Sequence, residues 1–178
     1  MMKTRIFLLL LLALTSCTKN ENKTIDQEPL KIDTTRVSII KYNLANPECK
    51  YIFENVTNAE LTNTDLKKIE DALDKIILKQ NPLQIERFEE VSTAFPNENY
   101  KKEDLLIKKE EYIRRYLVVN NQKGQKEVYI ALACDSIAKD FNLKNRLMQG
   151  HGGGSCLFSF KLNLDTRKYY DVYFNAEA

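Results

Sequence analysis

The stretch CLFSFKLNL (Cys156–Leu164), the tetrapeptide DTRK (Asp165–Lys168) and the stretch YYDVYFNA (Tyr169–Ala176) decide the fold class. Cys156, Phe158, Phe160, Leu162 and Leu164 alternate with Leu157, Ser159, Lys161 and Asn163. Successive side chains of a strand point to opposite faces, so this period of two marks a strand with one buried face. Tyr170, Val172, Phe174 and Ala176 alternate in the same way with Tyr169, Asp171, Tyr173 and Asn175. Asp165–Lys168 then reads as the turn between two antiparallel strands.

Working upstream, Tyr112–Val119 and Glu127–Ala133 are rich in the β-branched and aromatic residues that suit a pleated surface. They flank Asn120–Gln125, whose asparagines and glycine suit a hairpin loop. Further upstream the period changes to that of a helix. Leu66, Ile69, Leu73, Ile76 and Ile77 form one apolar stripe, and Lys67, Lys68, Glu70, Asp71, Asp74 and Lys75 fill the other face. Thr62 followed three residues later by Asp65 has the pattern of a capping box. Asn81-Pro82 is expected to end this helix, because a residue before proline avoids the α region. Val37–Ile40 and Cys49–Phe53 read as short strands with a turn at Asn46-Pro47. Residues 83–107 follow no single period, and a second short helix is expected around Asn99–Ile107. The expected class is α+β: an amphipathic helix packed on an antiparallel β-meander of about four strands. In outline this is similar to the cystatin-like and nuclear-transport-factor-like groups.

The chain has 178 residues, 43% of them hydrophobic and 29% charged, the composition of a globular domain. Its 27 lysines and arginines exceed its 25 acids by two. Lys3 and Arg5 supply that excess, so residues 17–178 are neutral overall. Neutrality argues against a nucleic-acid partner, which demands cations to neutralise phosphates. One histidine and no tryptophan leave triad hydrolases, poly-histidine metal enzymes and dinucleotide oxidoreductases without their usual parts. No catalytic residue, metal ligand or cofactor is therefore assigned, and the chain is read as a non-enzyme.

The N-terminus carries an address. Lys3 and Arg5 precede the nine-residue apolar run Ile6–Leu14. A spanning helix needs about 20 apolar residues, whereas a signal-peptide core needs about half that. Leu14-Thr15-Ser16-Cys17 resembles the bacterial lipobox, which implies a diacylglycerol on Cys17. Residues 1–16 are then a lipoprotein signal peptide, 17–35 the lipidated cysteine and a polar flexible tether, and 36–178 one globular domain. The expected location is the cell envelope, as an outer-membrane lipoprotein facing the periplasm or the cell surface, held to the membrane by its lipid.

Three cysteines remain. Cys134 ends one expected strand and Cys156 begins the next, and such ends meet in an antiparallel pair. A Cys134–Cys156 disulfide is the expected pairing, with Cys49 buried and unpaired; a bridge from Cys49 and a fully reduced chain are the alternatives. His151-Gly152-Gly153-Gly154 resembles the oxyanion segment of some esterases. However, Leu157 stands where the Gly-x-Ser-x-Gly elbow requires glycine. A cysteine–histidine dyad of Cys156 or Cys134 with His151 is one alternative, and a metal site from His151, Cys134 and Cys156 matches no standard zinc spacing. The segment reads as a glycine loop leading into a strand.

The tyrosines define the candidate binding surface. With Tyr170, Val172 and Phe174 facing the core, Tyr169 and Tyr173 stand on the other face beside Asp171. Tyr112 and Tyr116 share one parity with Arg114. Tyr112, Tyr116, Tyr169 and Tyr173 are thus expected on an open sheet face that binds a protein or peptide, as inhibitors and immunity proteins do. The alternative is a carrier with a small-ligand or glycan pocket between helix and sheet. A carboxylate-dependent hydrolase is a third reading.

Tyr112–Ala178 also resembles a group of small lipoproteins of Bacteroidetes-type bacteria. The shared features are Tyr129–Cys134, the glycine-to-strand segment Gly152–Phe158 and the ending Tyr169–Ala178. That group commonly carries an acid where His151 stands and a tryptophan in the preceding loop. The substitution argues against a histidine-based chemistry. The resemblance implies a lipid-anchored envelope protein and no particular activity.

Overall fold

In the computed structural model, the described residues are 29–99, 101–138, 147 and 152–175. Cys17, His151 and Ala176–Ala178 lie outside them, as do the residues assigned to the signal peptide. The elements are β1 (Val37–Ile40), α1 (Pro47–Ile52), β2 (Thr57–Asn58), α2 (Asn63–Ala94), α3 (Lys102–Leu105), β3 (Tyr112–Asn120), β4 (Lys126–Cys134), α4 (Asp135–Ala138), β5 (Leu157–Asn163) and β6 (Lys168–Phe174). The six strands form one sheet in the order β1-β3-β4-β5-β6, with β2 also on β3. β3 to β6 are a run of antiparallel neighbours, as the alternation predicts. β1 departs from that pattern. It runs parallel to β3, with Val37 opposite Arg114 and Ile40 opposite Leu117. The class is therefore mixed, one long helix with an open and mostly antiparallel sheet.

α2 begins as its capping box requires. The Thr62 hydroxyl accepts from the Asp65 amide at 3.2 Å, and the Asp65 carboxylate accepts from the Thr62 amide at 3.1 Å. Asp65 is 5% exposed and also accepts from the Lys126 ammonium at 2.8 Å, which ties the helix start to the start of β4. Ile69, Leu73 and Ile76 then lie on the sheet, and each such burial contributes roughly 1.5–3 kcal/mol.

Two local expectations are corrected. The helix does not stop at Asn81-Pro82 but runs on to Ala94 with Pro82 inside it. Pro82 cannot donate to the Leu78 carbonyl, a loss of about 3 kcal/mol relative to alanine. Tertiary contacts offset it: the Asn81 side chain accepts from the Ile107 amide at 2.9 Å and donates to the Ile107 carbonyl at 3.2 Å. Cys49–Phe53 is not a strand. Asn46 caps α1 by accepting from the Glu48 amide at 2.9 Å, and Pro47 takes the first turn, where its fixed φ fits. The second helix shrinks to α3.

The sheet is covered on both faces. Even-numbered residues of β3 and β4, Tyr116, Val118, Val128, Ile130 and Leu132 among them, face α2. Leu117, Val119, Tyr129 and Ala131 face the other way, under Tyr42, Cys49, Ile52 and Phe53. Cys134 and Cys156 form the expected disulfide with their sulfurs 1.98 Å apart, and Cys49 is buried and free.

Burial alone would raise the Asp65 pKa, but the hydrogen bonds from Lys126 and Thr62 outweigh it and hold it below its ordinary 3.8. A depressed folded pKa gives stability that is complete above the unfolded value and lost as pH falls through the folded one. In urea titrations from neutral pH downward, wild type is expected to lose stability below about pH 4 more steeply than Asp65→Asn. At neutral pH, Asp65→Asn is expected to cost about 1–2 kcal/mol.

Candidate functional site

Position along β6 is set by a bulge. Ser159 pairs with Tyr173 and Lys161 with Tyr170, so Phe160 alone opposes both Asp171 and Val172. Asp171 takes φ 49, in the left-handed region. An extra residue on one strand inverts the facing of everything beyond it. Tyr169 and Phe174 consequently share the α2 face, and Phe174 stacks on Phe158 at 4.8 Å. Tyr170 and Tyr173 share the opposite face with Lys161 and Ser159.

This corrects the expected tyrosine surface. Tyr173 is there, 61% exposed. Tyr169 is not: it packs against the core under α2, and its hydroxyl accepts from the Lys79 ammonium at 2.8 Å. Tyr170 takes its place, 37% exposed, donating to the Glu127 carboxylate at 2.9 Å. Burial and the Glu127 charge both push the Tyr170 hydroxyl pKa up, so it stays a donor. Tyr51 of α1, 82% exposed, adds a third ring. Its helix packs over Tyr129, whose cross-strand partner is Lys161. The Lys161 ammonium lies over the rings of Phe53 and Tyr170 at 5.2 and 5.8 Å and pairs with Asp171 at 3.0 Å. The candidate face is therefore Tyr51, Lys161, Tyr170 and Tyr173, where α1 leaves the β5–β6 side uncovered.

Tyr112 and Tyr116 are not on an open face either. They are 4% and 1% exposed beneath α2, because their parity is that of the helix-covered side. Burial raises both of their pKa values. They border a recess of about 370 Å³ between the start of α2, β3 and residues 31–37. Three of its cations, Arg36, Lys109 and Arg114, are paired. Arg114 pairs with Glu70 and donates to the Lys109 carbonyl at 3.0 Å. Lys109 pairs with Asp74 at 2.5 Å and Arg36 with Asp135 at 3.0 Å.

Sequence reasoning misses Tyr51 and Lys161 because neither stands in a pattern that distinguishes it. It misplaces Tyr170 because one residue in the left-handed region breaks the alternation. Among the described residues, no cluster of three or more His, Cys, Asp or Glu is placed to hold a metal ion. No helix among them is long and apolar enough to cross a membrane. No protein-family model, curated protein or solved structure matches the chain.

The bulge generates a test. Glycine adopts the left-handed region freely, whereas a β-branched residue is strained there. Urea unfolding is expected to place Asp171→Gly within about 1 kcal/mol of wild type and to show a loss of about 2 kcal/mol for Asp171→Val.

Proposed function

We propose that the chain is a lipid-tethered domain of the bacterial envelope that binds a protein partner through Tyr51, Tyr170 and Tyr173, in the manner of an inhibitor or immunity protein. The observation that carries this reading is the grouping of exposed tyrosines on a sheet face that α1 leaves open. Tyrosine combines a large apolar ring with a polar tip and loses few rotamers on binding, so it is enriched where surfaces recognise proteins. The matched charges around Tyr112 and Tyr116 favour a packed structural role there. Lys3, Arg5, the apolar run Ile6–Leu14 and the lipobox-like Leu14–Cys17 support the tether. The polar sequence between Cys17 and Pro29 supports a reach of some distance from the membrane, whereas the segment from Pro29 is held on the domain, the Lys31 amide donating to Asn63 at 2.8 Å. A helix lying on an antiparallel sheet is an outline shared with cystatin-like inhibitors, and it supports the binding reading at that level only.

The test is capture of crosslinked partners from native envelopes. The expected result is one stoichiometric partner that is retained with Leu78→Ala, on the exposed back of α2, and lost with Tyr51→Ala/Tyr173→Ala. Truncating two such anchors should weaken binding by roughly 30-fold or more. Cys17→Ser should move the protein from the membrane fraction to the soluble one. Retention of the partner by the double tyrosine variant would contradict the proposed surface.

A further inference from the structure

We propose that Arg115 anchors a site for a short aliphatic carboxylate, on the face opposite α2 and at the β1 side of the sheet. This site is separate from the tyrosine surface, which lies on the β5–β6 side. Arg115 sits in the middle of β3, between Ser38 of β1 and Ala131 of β4. It shares its face with Leu117 and Ala131 on one flank and with Ile113 and Ile137 on the other. Only 3% of it is exposed, and its Nε has no hydrogen-bond partner among the described residues.

A guanidinium cannot shed its proton to escape burial as a lysine can. Its desolvation is offset only by an acceptor, and removing the acceptor leaves an uncompensated charge. Two carboxylates on the elements that pack on this face, α1 and α4, are committed elsewhere. Asp135, at the end of β4, accepts from Arg36 at 3.0 and 3.1 Å. Glu48, on α1, accepts from the Leu147 amide at 2.9 Å. Desolvation is the cause that holds the Arg115 pKa below its ordinary value, and no described residue supplies an opposing charge.

The ligand class follows from what surrounds the guanidinium. Its parallel N–H groups match the two oxygens of a carboxylate. A phosphate would ask for more donors, and Ser38 is the one hydroxyl at a register position beside Arg115. The flanking Ile113, Leu117 and Ile137 suit a short hydrocarbon body. β1 is the outermost strand and Ser38 is half-buried, so a small molecule can approach across that edge.

The experiment is thermal unfolding of the purified protein in butyrate, phosphate or chloride at one ionic strength. Wild type is expected to rise in midpoint by roughly 3–6 °C per tenfold increase in butyrate above its Kd, and not in phosphate or chloride. Arg115→Met should be at least as stable as wild type in chloride and indifferent to butyrate. Arg115→Lys keeps the charge without the fork and should need about tenfold more butyrate. Absence of a butyrate response in wild type overturns the proposal, and so does an equal response in Arg115→Met. An equal response to phosphate overturns the carboxylate assignment. If wild type ignores butyrate while Arg115→Met is destabilised, the counter-charge comes from the chain itself, which also overturns the proposal.

Discussion

α2 lays Ile69, Leu73 and Ile76 on the even-numbered residues of β3 and β4, while α1 and Tyr42 close over the odd-numbered ones. This burial of two central strands on both faces is the constraint from which the other features follow. It leaves β3 and β4 no open side on which to display an exposed ring, so Tyr112 and Tyr116 become core. It also forces every polar group in those strands to find a partner or bear the cost of burial. Tyr112 donates to the Ser155 carbonyl at 2.9 Å, and Arg114 finds Glu70 and the Lys109 carbonyl. The Arg115 Nε, on the other side, finds none among the described residues. Exposed sheet tyrosines are left to the flank, where Tyr170 and Tyr173 of β6 stand clear of α1.

The features that were legible in the sequence are the local ones. Alternation in Cys156–Leu164, the hairpin chemistry of Asn120–Gln125 and the Thr62–Asp65 box each depend on residues a few positions apart. The Cys134–Cys156 pairing followed from strand ends that such alternation locates. The parts that were not legible depend on distant partners. Parallel pairing of β1 with β3 joins residues far apart in sequence and leaves no local mark. Pro82 is tolerated because Asn81 is clamped to Ile107. Asn46-Pro47 suits a helix start as well as a turn, and the short apolar run after it has no period of its own.

The candidate site was half legible for the same reason. Tyr173 was placed correctly, but Asp171 in the left-handed region exchanged Tyr169 for Tyr170. Two-sided burial did leave a trace: Leu117–Val119 and Tyr129–Ala133 are continuous apolar runs rather than alternating ones. Such runs belong to strands covered on both faces. On that pattern Tyr112 and Tyr116 belong to the core rather than to the candidate surface.

Native-state nitration of tyrosines, mapped by peptide mass spectrometry, tests the central claim most directly, because the two faces present different rings to solvent. The account predicts fast modification of Tyr51 and Tyr173 and protection of Tyr112 and Tyr116 until the protein is unfolded. Modification of Tyr112 and Tyr116 at the rate of Tyr173 in the native state would contradict it, because α2 could not then cover the sheet as described.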